Sequence, residues 1–342
     1  MTSDNLPLTL QQRLLTSLGE GLARRGFSIT QLLSDDACRE ALRQSMQRLF
    51  SRATQIAGDR KQSIASRTTG IRLLAFATWE TAQASLLPFL SPQTAQQLQR
   101  ATIASLAEQS SDEVAATLLR GWPRYSPQIR RDVVEGLLSQ SQRLTVLLDA
   151  VDTGSVRAID IEMDKRQILL KHPDKQIRSR CEQIFEDSQN TNRTQVVNAW
   201  QDALSLAGDA QHGLNVFKQK CSICHRVNDV GHQVAPDLAS VRNKSANDLI
   251  ISILDPNREA QPNFNTYTAE TKDGRVFSGI IAAEDANSIT LRRAEAKQDV
   301  VLRSNIEELI SNGISLMPEG LEKELSRQDL ANVIAFIKTI GQ

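Results

Sequence analysis

The sequence predicts a chain of two parts, an all-α helical-repeat front and a separate α+β unit at the C-terminal end. Three observations predict it. From Pro7 to about Ala207, apolar residues recur at three- and four-residue spacing with few β-branched runs. Beyond about residue 208, β-branched stretches alternate with turn formers. The 342 residues, 40% apolar and 23% charged, suffice for one or two ordinary cores.

In the front part, Leu10, Leu14, Leu15, Leu18 and Leu22 mark one face of a first helix. Ala41, Leu42, Met46, Leu49 and Phe50 do the same for another, each opposite a polar face. Ser91-Pro92-Gln93, Ser126-Pro127-Gln128 and His172-Pro173-Asp174 each read as a helix start, with proline where its missing N–H costs nothing. These prolines lie 35 and 46 residues apart, near the roughly 40–47-residue period of HEAT or armadillo helix pairs. Residues 1–188 are therefore expected to form a HEAT-like α-solenoid, with an irregular helical bundle as the alternative.

A polar stretch at 189–195 and a helix over Val196 to Ala207 make residues 189–207 a linker. In 208–342, helices are expected over Ala210 to Lys220 and Asn247 to Leu254. Strands are expected over Thr266 to Thr271, Val276 to Ala282, Ser288 to Arg292 and Asp299 to Leu302, with Lys272-Asp273-Gly274-Arg275 as a hairpin turn. A loop over Ser311 to Gly320 leads to a last helix, Ser326 to Ile340, opened by Ser326 with Asp329 three residues on.

Basic and acidic residues both number 40, so the net charge is zero and the electrostatic warrant for a nucleic-acid or anionic-membrane partner is gone. The front carries 25 basic and 22 acidic residues, and the part from Asp209 onward 15 and 18. No uncharged apolar run approaches the roughly 18–20 residues that span a bilayer, so no membrane span is expected. Four cysteines cannot make a disulfide scaffold.

Cys221-Ser222-Ile223-Cys224-His225 is the sharp chemical signal. Cys-x-x-Cys-His is the attachment motif for c-type haem. Residues i and i+3 at a helix start face one way, so both thiols reach the vinyl groups of one porphyrin edge, and the next residue sets an imidazole under the iron. Two alternatives stand beside it. Half of a zinc site lacks a second cysteine pair, since Cys38 and Cys181 are solitary and His232 is at an unusual spacing. A thioredoxin-like dithiol lacks the surrounding βαβ pattern.

One motif implies one haem. Of the four methionines, only Met317 lies downstream of the motif, in Ser315-Leu316-Met317-Pro318-Glu319-Gly320. It is the candidate sixth ligand. Ala235-Pro236-Asp237-Leu238 follows the motif closely, and the Pro236 carbonyl is the candidate acceptor for His225 Nδ1–H, fixing its tautomer. No nucleophile–base pair or Gly-rich phosphate loop is present, so no catalytic residue is assigned.

Residues 208–342 resemble the c-type haem-binding domain named for planctomycete and verrucomicrobial proteins, a variant of the class I cytochrome c fold. The resemblance is carried by Gly213 and Phe217, the Cys-x-x-Cys-His motif, Gly231-His232, Ala235-Pro236-Asp237-Leu238, and Ser252-Ile253-Leu254-Asp255-Pro256-Asn257-Arg258-Glu259. Thr268 to Arg275, Ser315 to Glu322 and Asp329-Leu330-Ala331 complete it. Ala235 departs from the family, which has glycine there. The resemblance implies haem c bound through Cys221 and Cys224, with His225 and Met317 axial. It also implies a class I cytochrome c-like helical domain with a small β insertion at about 264–302. In that family such a domain follows HEAT-like repeats behind a β-propeller dehydrogenase.

The expectation is a monohaem cytochrome that carries single electrons for a periplasmic dehydrogenase, its helical repeats serving as a docking or spacer domain. The alternatives are a haem sensor or peroxidase-like enzyme with displaceable Met317, and a zinc-binding scaffold. The expected partner is a redox protein, with a β-propeller dehydrogenase as candidate. The implied location is periplasmic or exported, although Met1 to Leu6 open no signal peptide. That conflict is expected to resolve with Met1 beginning a fragment or a truncated gene.

Overall fold

The computed structural model describes residues 6–23, 29, 40–187, 193–258 and 261–341. Cys38 and most of the polar stretch at 189–195 lie outside the described residues. The chain divides into two compact units, one of Met1–Leu147 with Asp285–Asn287, the other of Leu148–Glu284 with Ser288–Gln342.

Helices build the first unit: α1 (Leu8–Ala23), α2 (Glu40–Gly58), α3 (Ile64–Leu73), α4 (Trp79–Leu86), α5 (Gln96–Ala107), α6 (Glu113–Arg120) and α7 (Pro127–Leu138). The Ser63 hydroxyl caps α3, accepting from Ser66 N–H at 3.1 Å. Pro127 opens α7 at its first position as expected. Pro92 does not open a helix: Thr94 N–H closes a turn on the Ser91 carbonyl at 2.9 Å, and α5 starts only at Gln96. A proline fits a type I turn as well as a first helical turn, which makes this signal two-valued.

Polar side chains tie helical segments that are not neighbours in sequence at a fixed separation. Ser105 Oγ donates to the Ile71 carbonyl at 3.2 Å, Gln109 Nε2 to the Ala75 carbonyl at 2.7 Å, and the Arg143 guanidinium to the Gln109 carbonyl. Each of these bonds joins residues 34 apart. Ile71, Leu73, Leu86, Leu98, Leu106, Leu118 and Leu137 fill the space between helices with almost no exposure.

After α8 (Ser141–Asp152), which runs across the division at Leu147, the second unit holds α9 (Met163–Leu170), α10 (Lys175–Asp187), α11 (Thr194–Ala199) and α12 (Ala210–Val216). A small hairpin, β1 (Arg226–Val227) and β2 (Val230–Gly231), and then α13 (Ala246–Leu254) follow. Next come strands β3 (Asn265–Thr271), β4 (Val276–Glu284), β5 (Ser288–Arg292), β6 (Gln298–Leu302) and β7 (Ile306–Ser315), and last α14 (Arg327–Thr339). A reciprocal capping box of Ser326 and Asp329 opens α14.

The five strands form one antiparallel sheet in the order β6-β5-β4-β3-β7. This overturns the expected class. In place of an all-α HEAT-like solenoid followed by a class I cytochrome c-like helical domain with a small β insertion, the described residues form a mixed helical and β chain. A class I cytochrome c-like domain is not shown among them. The sheet runs to Ser315, beyond the expected end near 302, and Ser311 to Ser315 is strand where a loop was expected. Ser311, Asn312 and Gly313 are turn formers that hide this strand in the sequence, and a bulge accommodates them.

Two cores lie in this unit. Phe217, Leu249, Ile250, Leu254, Leu330, Val333 and Ile337 form one, between α12, α13 and α14. Tyr267, Ala269, Ile289, Leu291, Val301 and Ile306 form the other, on the sheet. α12 meets α14 so closely that a Cβ on Gly213 would stand 2.0 Å from the Asn332 carbonyl oxygen. No helix among the described residues is long and apolar enough to cross a membrane.

Candidate cofactor-binding site

The Asp209 carboxylate caps α12, accepting from Gln211 N–H at 2.8 Å and His212 N–H at 3.0 Å. The helix widens to a π-type turn over Phe217–Cys221, and such turns recur at functional sites. His225 N–H returns to the Cys221 carbonyl at 2.9 Å, so the motif closes as one compact turn.

The chain then folds back over that turn. His232 N–H donates to the Ser222 carbonyl at 2.9 Å, and the Val234 and Ala235 N–H groups donate to the Cys224 carbonyl at 3.0 and 2.9 Å. Gly231 makes the return possible: its φ is 89°, and a Cβ there would stand 2.2 Å from the His225 carbonyl oxygen. The strap brings Pro236 over the imidazole, with His225 Nδ1 2.8 Å from the Pro236 carbonyl oxygen. A carbonyl only accepts, so Nδ1 carries the proton and Nε2 keeps its lone pair. Burial lowers the imidazole pKa, against a smaller upward pull from the Pro236 bond and Asp237, which favours the neutral form that serves as a metal ligand.

Cys221 and Cys224 form no disulfide. Burial, with the neighbouring Cys224, pushes the Cys221 thiol up to about 11, and burial also raises Cys224. Met317 arrives from the end of β7. Leu316 N–H donates to the Phe264 carbonyl at 3.0 Å, Ser315 N–H to Asn257 Oδ1 at 2.7 Å, and Met317 N–H to Ser315 Oγ at 3.1 Å.

Cys221, Cys224, His225, Pro236 and Met317 all line one cavity of about 590 Å³. Its walls include Leu238, Leu249, Phe264, Leu316, Leu330 and Val333, with Lys244 and Ser252 among its few polar groups. That is an apolar concave site of ligand-binding size.

No protein-family model matches this chain, nor does any curated protein.

The geometry therefore carries the functional argument. The donor set suits haem c: two thiols, an imidazole with its tautomer fixed, a thioether, and mostly apolar walls. A zinc site needs more donors. Among the described residues no group of three or more His, Cys, Asp or Glu side chains converges on one point. His232 is exposed, and His212 is spent on Asp209 at 3.0 Å. Periodicity and motif spacing alone do not place Phe264, Asn257 or Ser315 at the site, because each acts through the loop that carries Met317.

Proposed function

We propose that this chain is a monohaem c-type cytochrome that passes single electrons to or from a redox protein. The observation that carries the reading is the meeting of Cys221, Cys224, His225 and Met317 in one apolar cavity, with His225 Nδ1 engaged by Pro236.

Held by His225 and Met317, a haem would supply a one-electron Fe(III)/Fe(II) couple. Cys221 and Cys224 are the tethering groups. His225 offers Nε2, and the Pro236 carbonyl orients the ring and raises its basicity. Met317 offers a soft thioether that favours the reduced state. The associated proposals are an exported location, where covalent haem is attached, and a dehydrogenase as electron partner.

The deciding measurement is the visible spectrum and denaturing-gel haem stain of protein made with haem-maturation machinery, for wild type and Met317→Ala. Covalent haem in the wild type is expected, with a Met–Fe(III) charge-transfer band that Met317→Ala abolishes. A wild type without covalent haem overturns the reading. Carbon monoxide binding to the reduced wild type would instead favour a sensor or peroxidase-like role with displaceable Met317.

A further inference from the structure

The sheet holds both loops of the site. In the turn between β5 and β6, Glu295 N–H donates to the Ile223 carbonyl at 2.9 Å, inside the Cys-x-x-Cys-His segment. Beside it, Arg292 Nη1 donates to the Gln233 carbonyl at 3.0 Å, in the strap that leads to Pro236. Glu295 and Ala296 hold φ at 60° and 56°, a conformation L residues adopt only where surroundings enforce it.

At the other end, β3 and β7 change register between the pairs Asn265–Ser315 and Tyr267–Ser311. The extra residues of β7 form a bulge that includes Gly313 at φ 71°. A bulge bends its strand and re-aims the residues beyond it, which here are Leu316 and Met317. Arg157, from the segment between α8 and α9, donates through Nη1 to the Gly313 carbonyl. Its Nη2 and Nε donate to Asp160 at 2.7 and 3.3 Å. Asp160, 3% exposed, also accepts from Asn265 Nδ2 at 3.2 Å. Arg157, Asp160, Asn265 and Gly313 thus close a ring around the bulge.

We propose that the five-stranded sheet sets the separation between the His225 loop and the Met317 loop, and that Arg157 is the positioning residue that locks its Met317 end. The proposal rests on the haem reading above. It gives the helical segment before residue 208 a part in the site, because Arg157 braces the strand that delivers the thioether. Without that brace the bulge loses a charge-assisted bond, Met317 spends less time in place, and an added ligand competes with it more easily.

The test titrates imidazole into the ferric holoprotein of wild type, Arg157→Ala and Arg157→Lys. Arg157→Ala is expected to keep its covalent haem and to bind imidazole about tenfold more tightly, equivalent to ~1.4 kcal/mol, with Arg157→Lys between. Affinity unchanged within about twofold, even with a lowered melting point, makes Arg157 merely structural and overturns the proposal. Gly313→Ala strains the bulge while keeping the Arg157–Asp160 pair, and it carries the same expectation should Arg157→Ala not fold. A wild type without covalent haem is seen before any titration; it overturns the haem reading and this proposal with it.

Discussion

The Nδ1 atom of His225 lies 2.8 Å from the carbonyl oxygen of Pro236. That contact fixes which ring nitrogen is protonated before any metal is present. In haem-free protein, nitrogen-15 NMR is expected to show His225 as the Nδ1–H tautomer. The Nε2–H tautomer as the main species would contradict the site geometry.

Gly213 is where α12 and α14 touch. A methyl group there runs into the Asn332 backbone carbonyl, and backbone cannot step aside as a side chain can. Gly213→Ala is expected to cost ~1–3 kcal/mol or more, read as a lower denaturant midpoint. An unchanged midpoint would mean that the two helices separate freely.

Arg143, 2% exposed, donates to the Ala107 carbonyl at 2.6 Å and to the Gln109 carbonyl. Arg143→Ala leaves those carbonyls without this donor at the end of α5. The expected loss is ~1.5–3 kcal/mol in urea unfolding. A loss of a few tenths would assign those carbonyls to water.

The bond from Ser245 holds the Asp248 carboxyl below its ordinary pKa, at the capping box that opens α13. An acid with a lowered folded-state pKa adds stability above its unfolded value of about 3.9, and loses it as pH falls through the folded value. Asp248→Asn is therefore expected to lower the urea midpoint near neutrality, with the gap to wild type closing in acid. A constant gap across that range would refute the assignment.

Cys181 is fully buried, and burial pushes its thiol up to about 11. Cys221 and Cys224 are only half-buried. Because burial raises Cys221 as far as Cys181, it is Cys224, half-buried and next to solvent, that iodoacetamide should modify well before Cys181 in native haem-free protein, as read by peptide mass mapping. Equal rates would show local opening around α10.

Features set by neighbours in sequence were legible in it. Ser326 and Asp329 meet three residues apart whatever surrounds them, and Asp-Gly at 273–274 turns a hairpin because glycine accepts φ 78°. Ser288 to Arg292 is strand over the span expected from its β-branched enrichment. Pro92 misled because its fixed φ serves turn and helix alike. Ser311 to Ser315 misled because a bulged strand is defined by its partner β3, which local composition does not report.

The sequence by itself determined the donor groups and their local spacing: two thiols and an imidazole in one turn, a glycine where the chain must fold back, and caps where helices begin. These follow from steric and hydrogen-bonding rules acting over a few residues. Only the tertiary structure decided that Met317 shares a cavity with His225 and that Arg157 grips the strand leading to Met317. It also decided that one sheet reaches from the Ile223 carbonyl to the Gly313 bulge. Strand register and long-range contact depend on burying two cores at once, a condition imposed on the whole unit and written in no single segment.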